Sequence, residues 1–196
     1  MPNMTPIIAH RSTLRRLPIL FLALFALLWP APPANAAKCA AEAYIIGAGR
    51  TYDQAARSGS AAAFANGVAR YSDMRSIALF ALGRYRKELP KGREGEYIAL
   101  TKKFMGEFML EYGKDFRVGT MQVQDCSGPP SNTLITARTS GGDKVMFRVA
   151  KSGGGWVVRD MNVSGIWLVQ QLRSTFVGTI SRANGNIDEL FKYLKS

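Results

Sequence analysis

"VVRDMNVSGIWLVQQLRSTF", residues 157–176, changes its period halfway along. The first half follows Trp156 in rough alternation of apolar and polar residues, the pattern of a strand with one buried face. After Gly165 the period lengthens. Ile166, Val169, Leu172, Phe176 and Ile180 recur at spacings of three and four, the stripe of an amphipathic helix. The stretch predicts a strand that runs into a helix with a heavy apolar load. Trp167 and Leu168 lie beside the stripe, and a lone Arg173 is pressed among them.

Upstream, period two continues. Residues 116–125, 132–139, 144–151 and 156–163 read as four strands. Their links, "CSGPPS", "SGGD" and "SGGG", are short and rich in turn residues, so neighbouring strands run antiparallel. Before residue 113 the period is near 3.6. An Ala-rich helix covers residues 40–57, and Ser60 caps a second. Ser72 or Asp73 caps a third, with Ile77, Ala78, Ala81, Leu82 and Tyr85 on one face, and Pro90 ends it. A fourth runs over residues 94–112 with Tyr97, Leu100, Phe104, Phe108 and Tyr112 in line, stopped by Gly113. The last starts near Asn186, with Glu189 placed as a capping-box partner.

Helices first, a meander next and helices again at the end predict an α+β fold: a four-stranded antiparallel curved sheet with helices packed on one face. Met121 and Val123 share the apolar face with Val145, Phe147 and Val149, while Thr120, Gln122, Gln124, Lys144, Arg148 and Lys151 help make the other. A half-cone of this kind closes as a core or keeps a cavity, and periodicity does not separate the two outcomes. "GAG" at residues 47–49 lacks a preceding strand and a third glycine, and "SGGGW" leads into a strand rather than a helix, so neither reads as a phosphate loop.

The N-terminus predicts a secretory signal peptide over residues 1–36. Arg11, Arg15 and Arg16 precede the thirteen-residue apolar run 17–29, and Ala34-Asn35-Ala36 supplies a cleavage pattern. Thirteen residues rise about 20 Å as a helix, too short for a hydrocarbon core of about 30 Å. Lys38 before Cys39 argues against lipidation. The remainder, residues 37–196, has the length of a single domain. Losing those three arginines leaves 23 basic residues against 14 acidic ones, a net charge of +9. Outside the cytoplasm such charge fits phospholipid head groups or an acidic protein rather than nucleic acid, and equally it serves solubility.

Cys39 and Cys126 are the two cysteines, and an oxidising compartment favours a disulfide between them. The single histidine, His10, lies in the signal. Ser-His and Cys-His nucleophilic pairs and histidine metal ligands are therefore excluded from the remainder. The carboxylates stand at no telling spacing, so no catalytic residue, metal or cofactor is predicted.

The opening stretch resembles the MlaC / toluene-tolerance family of periplasmic lipid-binding proteins. There a Trp starts the last strand, an Asp-x-x-Val-x-Gly run ends it, and Arg-Ser-x-Phe follows on the helix. Trp156, Asp160, Val163, Gly165, Arg173, Ser174 and Phe176 match. "DMRSIALFALGRYRK", residues 73–87, is similar to the family's Asp-x-x-x-Ile…Leu-Gly helix, and "GNIDELFKYL" to its closing segment. Trp167, and Gln170-Gln171-Leu172 before the Arg, depart from the pattern, as do both cysteines.

The resemblance implies a carrier with an apolar pocket between sheet and helices. Such a carrier takes phospholipid, or a hopanoid in one branch, between an outer-membrane lipoprotein complex and an inner-membrane ABC transporter, and so bears on outer-membrane lipid asymmetry. The expected lining is Ile77, Ala81 and Tyr85 from the third helix, Phe104, Phe108 and Tyr112 from the fourth, and Met121, Val123, Phe147 and Val163 from the sheet. The junction helix adds Ile166, Val169, Leu172 and Phe176, with Arg173 at the mouth or bracing the helix. Two further readings stand beside it. One is a small exported isomerase or dehydratase using Asp160 as a base whose pKa is raised by burial. The other is an adaptor that binds only protein.

Overall fold

Ser164 and Gly165 both adopt positive φ, 51° and 88°, and reverse the chain in two residues. Asn162 Oδ1 accepts from Gly165 N at 3.1 Å across the turn. This mirror-image turn matches the twist of paired strands, and glycine accepts it without a Cβ penalty. In the computed structural model, which describes residues 39–113 and 120–196, the chain leaving the turn therefore pairs back onto the strand it came from.

Among the described residues five strands result, where the sequence predicts four. They are β1 (Met121–Ser127), β2 (Thr133–Thr139), β3 (Lys144–Ser152), β4 (Gly155–Val163) and β5 (Ile166–Trp167). They lie in that order in one open sheet, each antiparallel to the next. The part of the first predicted strand before residue 120 falls outside the described residues. The helix predicted to begin right after Gly165 starts two residues later, because Ile166 and Trp167 pair with Val163 and Asn162.

The described residues also form six α-helices: α1 (Glu42–Ser58), α2 (Ala61–Tyr71), α3 (Met74–Ala81), α4 (Glu94–Gly113), α5 (Leu168–Arg182) and α6 (Asp188–Lys195). Ser60 Oγ caps α2 by accepting from Ala63 N at 3.1 Å. Asp73 caps α3, taking Ser76 N at 3.0 Å and the Ser76 hydroxyl at 2.6 Å. Past Ala81 the third helix tightens into a 3-10 turn over Gly83–Glu88. At α6 the expected capping box is not made. Asn186 Oδ1 accepts from Asp188 N at 3.0 Å, and Glu189 instead takes Lys192 at 2.7 Å, one turn on. Among the described residues no helix is long and apolar enough to cross a membrane.

Two separate cores follow from this order. In the first, Ile45, Ala48 and Tyr52 of α1 and Phe64 and Val68 of α2 pack on Ile135, Val145, Phe147, Val149 and Val158 of the sheet. In the second, α3, α4, α5 and α6 bury Leu82, Tyr97, Phe176, Ile180, Leu190 and Leu194 against one another. The Tyr97 hydroxyl donates to Ala78 O at 2.8 Å and ties α4 to α3. Gly106 lets α4 cross α2 closely, because a Cβ there would strike the Ala61 carbonyl oxygen. Met105 touches both cores, so α4 is the wall between them.

The structure joins Cys39 to Cys126 of β1 in a disulfide across 87 residues. Closing so long a loop restricts the unfolded chain and contributes on the order of 2–5 kcal/mol. Labelling of the denatured, unreduced protein should find no free thiol, and a Cys39→Ser, Cys126→Ser variant should unfold at lower denaturant concentration. Two labelled cysteines in the parent protein would reject the bridge.

Candidate functional site

α4 and α5 face each other across an apolar cleft. Phe104, Met105, Phe108 and Met109 line it from α4, and Leu168, Gln171, Leu172 and Thr175 from α5. On α5 these positions are spaced three and four apart, so one face of the helix supplies the whole wall. Phe104 is the hub of the α4 side. Its ring centroid lies 5.5 Å from Phe176, 5.6 Å from Tyr193 and 6.4 Å from Phe108. The cleft runs along the seam between the two cores.

The free space is small, about 30 Å³, room for roughly two waters. An enclosed apolar pocket, expected from the resemblance, is not formed at ligand size; pockets for drug-sized molecules run about 300–1,000 Å³. The reason is the side chains that meet there. Met105 and Met109 are unbranched and fill irregular gaps that aromatic residues leave.

The predicted lining residues divide among several places. Phe104, Phe108 and Leu172 border the cleft. Ile77 and Val169 border a second hollow on the other side of α5. Ala81 and Phe176 sit at 0% exposure in the helical core, and Tyr85 is half-buried against it. Met121 and Phe147 belong to the core under the sheet, with Val123 and Val163 partly buried beside them. Ile166 is 53% exposed, because it lies in β5 rather than on the helix stripe. Tyr112 falls in the last turn of α4, with its side chain outside the described residues. Met105, Met109, Leu168, Gln171 and Thr175 were not expected. Met105 and Met109 follow the predicted α4 residues by one, Leu168, Gln171 and Thr175 precede the predicted α5 residues by one, and the apolar stripes alone do not show them.

Asp160 sits at the root of α5. It is 5% exposed, and its Oδ1 accepts from Met161 N at 2.8 Å and from Val169 N at 2.9 Å. The second bond satisfies one of the orphan N–H groups in the first turn of α5, where Trp167 offers no side-chain cap. Burial pushes the carboxyl pKa up; the bonds from Val169 and Met161 and the nearby Arg148 charge oppose the shift without cancelling it. Arg173 braces the same helix from outside. Its guanidinium donates to Phe80 O at 3.2 Å and lies 4.7 Å from the Phe80 ring centre. Among the described residues no cluster of His, Cys, Asp or Glu could hold a metal ion.

Fold and cleft define an α+β protein with an apolar seam between helices that close over an open antiparallel sheet. The family model described as MlaC protein matches residues 44–196, and the chain belongs to that family. Its fold is similar to a solved structure from Ralstonia solanacearum, described as a phospholipid-binding protein in complex with a phospholipid. The TM-score is 0.67 at 19% identity, covering 79% of this chain and 94% of that one. No curated protein matches the chain.

Asp160→Ala should lose about 1–3 kcal/mol, the cost of leaving Val169 N–H buried without an acceptor. Asp160→Asn keeps the oxygen and removes the charge. A raised folded-state pKa contributes stability that is fully present below the unfolded value of about 3.9 and lost as pH rises through the folded value. The asparagine variant should therefore gain on the parent between acid and neutral pH. Denaturant unfolding at several pH values checks this; a parent that gains on the asparagine variant with rising pH would reject the assignment.

Proposed function

We propose that the protein is a lipid carrier that takes phospholipid acyl chains into the seam between α4 and α5. The observation that carries this reading is the cleft itself: a wall of Phe, Met and Leu side chains, interrupted only by Gln171 and Thr175, where the two cores meet. Membership of the MlaC family and a structural relative described as holding a phospholipid support it. Each CH₂ hidden from water is worth about 0.8 kcal/mol, so two chains of about sixteen carbons represent roughly 25 kcal/mol. A carrier crossing an aqueous space must bury most of that surface, and a seam between cores can part without exposing either interior.

In this reading residues 1–36 are a removable signal peptide, residues 37–196 are the working domain, and the protein acts in the periplasm. It passes lipid between an outer-membrane lipoprotein complex and an inner-membrane ABC transporter. A hopanoid is the alternative cargo, and its fused rings would ask for a wider opening than separate acyl chains. The enzyme reading is weaker because Asp160 spends Oδ1 on two backbone N–H groups that set the start of α5.

Leu168→Asp tests the carrier directly. Leu168 is half-buried at the cleft and is the first residue of α5, where a carboxylate complements the helix dipole. Folding should therefore survive, while a charge beside the tails costs several kcal/mol. Organic extraction and mass spectrometry should find diacyl lipid with the purified parent and several-fold less with the variant, at a similar melting temperature. A parent without lipid, or a variant that keeps normal lipid, would overturn the reading.

A further inference from the structure

A second hollow, about 250 Å³, opens on the opposite side of α5 from the apolar cleft, between α3 and the middle of β3 and β4. Its chemistry is different. Arg148 and Arg159 line it together with Asp160, and Ile77, Phe80 and Val169 supply an apolar floor.

Two local features bring the arginines together. Arg148 and Asp160 are register partners on β3 and β4, so their side chains share a face of the sheet. The register then slips, with Val149 opposite Val158, which leaves Arg159 as the extra residue of a bulge. In a regular strand Arg159 and Asp160 would point to opposite faces. The bulge re-aims the strand so that both reach the same hollow.

Neither guanidinium is used up. Arg148 does not bond Asp160, although the two are cross-strand partners. Its guanidinium carbon lies over the Trp167 ring, 4.0 Å from the ring centre, and no hydrogen bond from it to an acceptor is made among the described residues. The cation–π contact holds the guanidinium in place without using its N–H donors on an acceptor. Arg159 donates to Asp73 Oδ2 at 3.2 Å, longer than the roughly 2.7–2.9 Å of a strong charge-assisted bond, and its side chain is 40% exposed. The one carboxylate in the lining has its Oδ1 bound to two backbone N–H groups. Asp160 in the lining and Asp73 beside Arg159 balance the two arginine charges, so the pull on an anion comes from the unengaged donors of Arg148, the long Arg159–Asp73 contact and the positive end of α5.

We propose that this hollow is a phosphate-ester site, in which Arg148 and Arg159 bracket the phosphate oxygens while the ester's carbon side rests on Ile77, Phe80 and Val169. Arginine forks match phosphate oxygens two at a time, and the apolar floor favours an ester over a bare ion. The ester is the head group of a lipid whose tails lie in the α4–α5 cleft, or a soluble phosphate compound. Only the first source rests on the carrier reading.

The test uses the full chain and three probes: dihexanoyl phosphatidylglycerol, the neutral dihexanoylglycerol, and inorganic phosphate followed by phosphorus NMR line broadening. The parent should bind the phosphate-bearing lipid about tenfold or more tightly than the neutral one, and inorganic phosphate should compete for the difference. Arg148→Gln and Arg159→Gln should shrink that preference to roughly threefold or less while leaving neutral-lipid binding unchanged. Arg148→Lys, which keeps the charge and loses the fork, should fall between, and circular dichroism melts confirm that each variant is folded. Phosphate binding lost in the arginine variants, without any lipid preference, would assign the hollow to a soluble ester. Binding of phosphate with neither lipid taken up would keep the hollow and reject the carrier. Equal affinity for the two lipids with no phosphate binding, or folded arginine variants that bind phosphate normally, would overturn the site.

Discussion

Asp160 Oδ1 accepts from Met161 N in its own strand and from Val169 N in the next helix, and the placement of α5 depends on that pair of bonds. The chain between them makes a two-residue turn, a two-residue strand and a helix start in nine residues. With the carboxylate fixed, α5 leaves the sheet in one direction, with Leu168 and Leu172 toward α4 and Val169 toward the arginine hollow. A buried carboxylate is costly, and its raised pKa registers that cost. The backbone bonds offset part of it by serving a helix terminus that has no other side-chain cap.

The two cores make the rest of the account possible. One is formed by α1, α2 and the sheet, the other by four helices, and Met105 of α4 belongs to both. A single close-packed core resists opening, because any gap forfeits dispersion contacts on every side. A seam between cores loses only the contacts that cross it. The seam here is faced by flexible methionines and by aromatic rings at ordinary contact distance, materials that can repack around a guest. This gives a physical reason for a cleft that is narrow and still suited to acyl chains.

Much of this was legible in the residues. The switch of period near residue 113, the caps at Ser60 and Asp73, and the short Gly-rich links led to an α+β fold with an antiparallel meander, as the structure shows. The fifth strand was hidden because Ile166 fits the following helix's apolar stripe, with Trp167 beside it, as well as the pair fits a hairpin. The positive φ of Ser164 and Gly165 decides between them, and period alone carries no such information. Core and cleft were inseparable for a similar reason: Phe176 and Leu172 occupy one stripe, and only the position of α4 puts one in the interior and the other at the seam. The arginine hollow was out of reach because it needs a bulge, and a bulge breaks the strict alternation that would put Arg159 and Asp160 on opposite faces.

The central claim is that α4 and α5 part to admit acyl chains. Spin labels on Lys103→Cys and Ser174→Cys, both at exposed positions of the facing helices, report their separation directly. Pulsed electron resonance on delipidated and phospholipid-loaded protein should show the distance widening with lipid. An unchanged distance in protein shown by mass spectrometry to carry a full complement of lipid would contradict it.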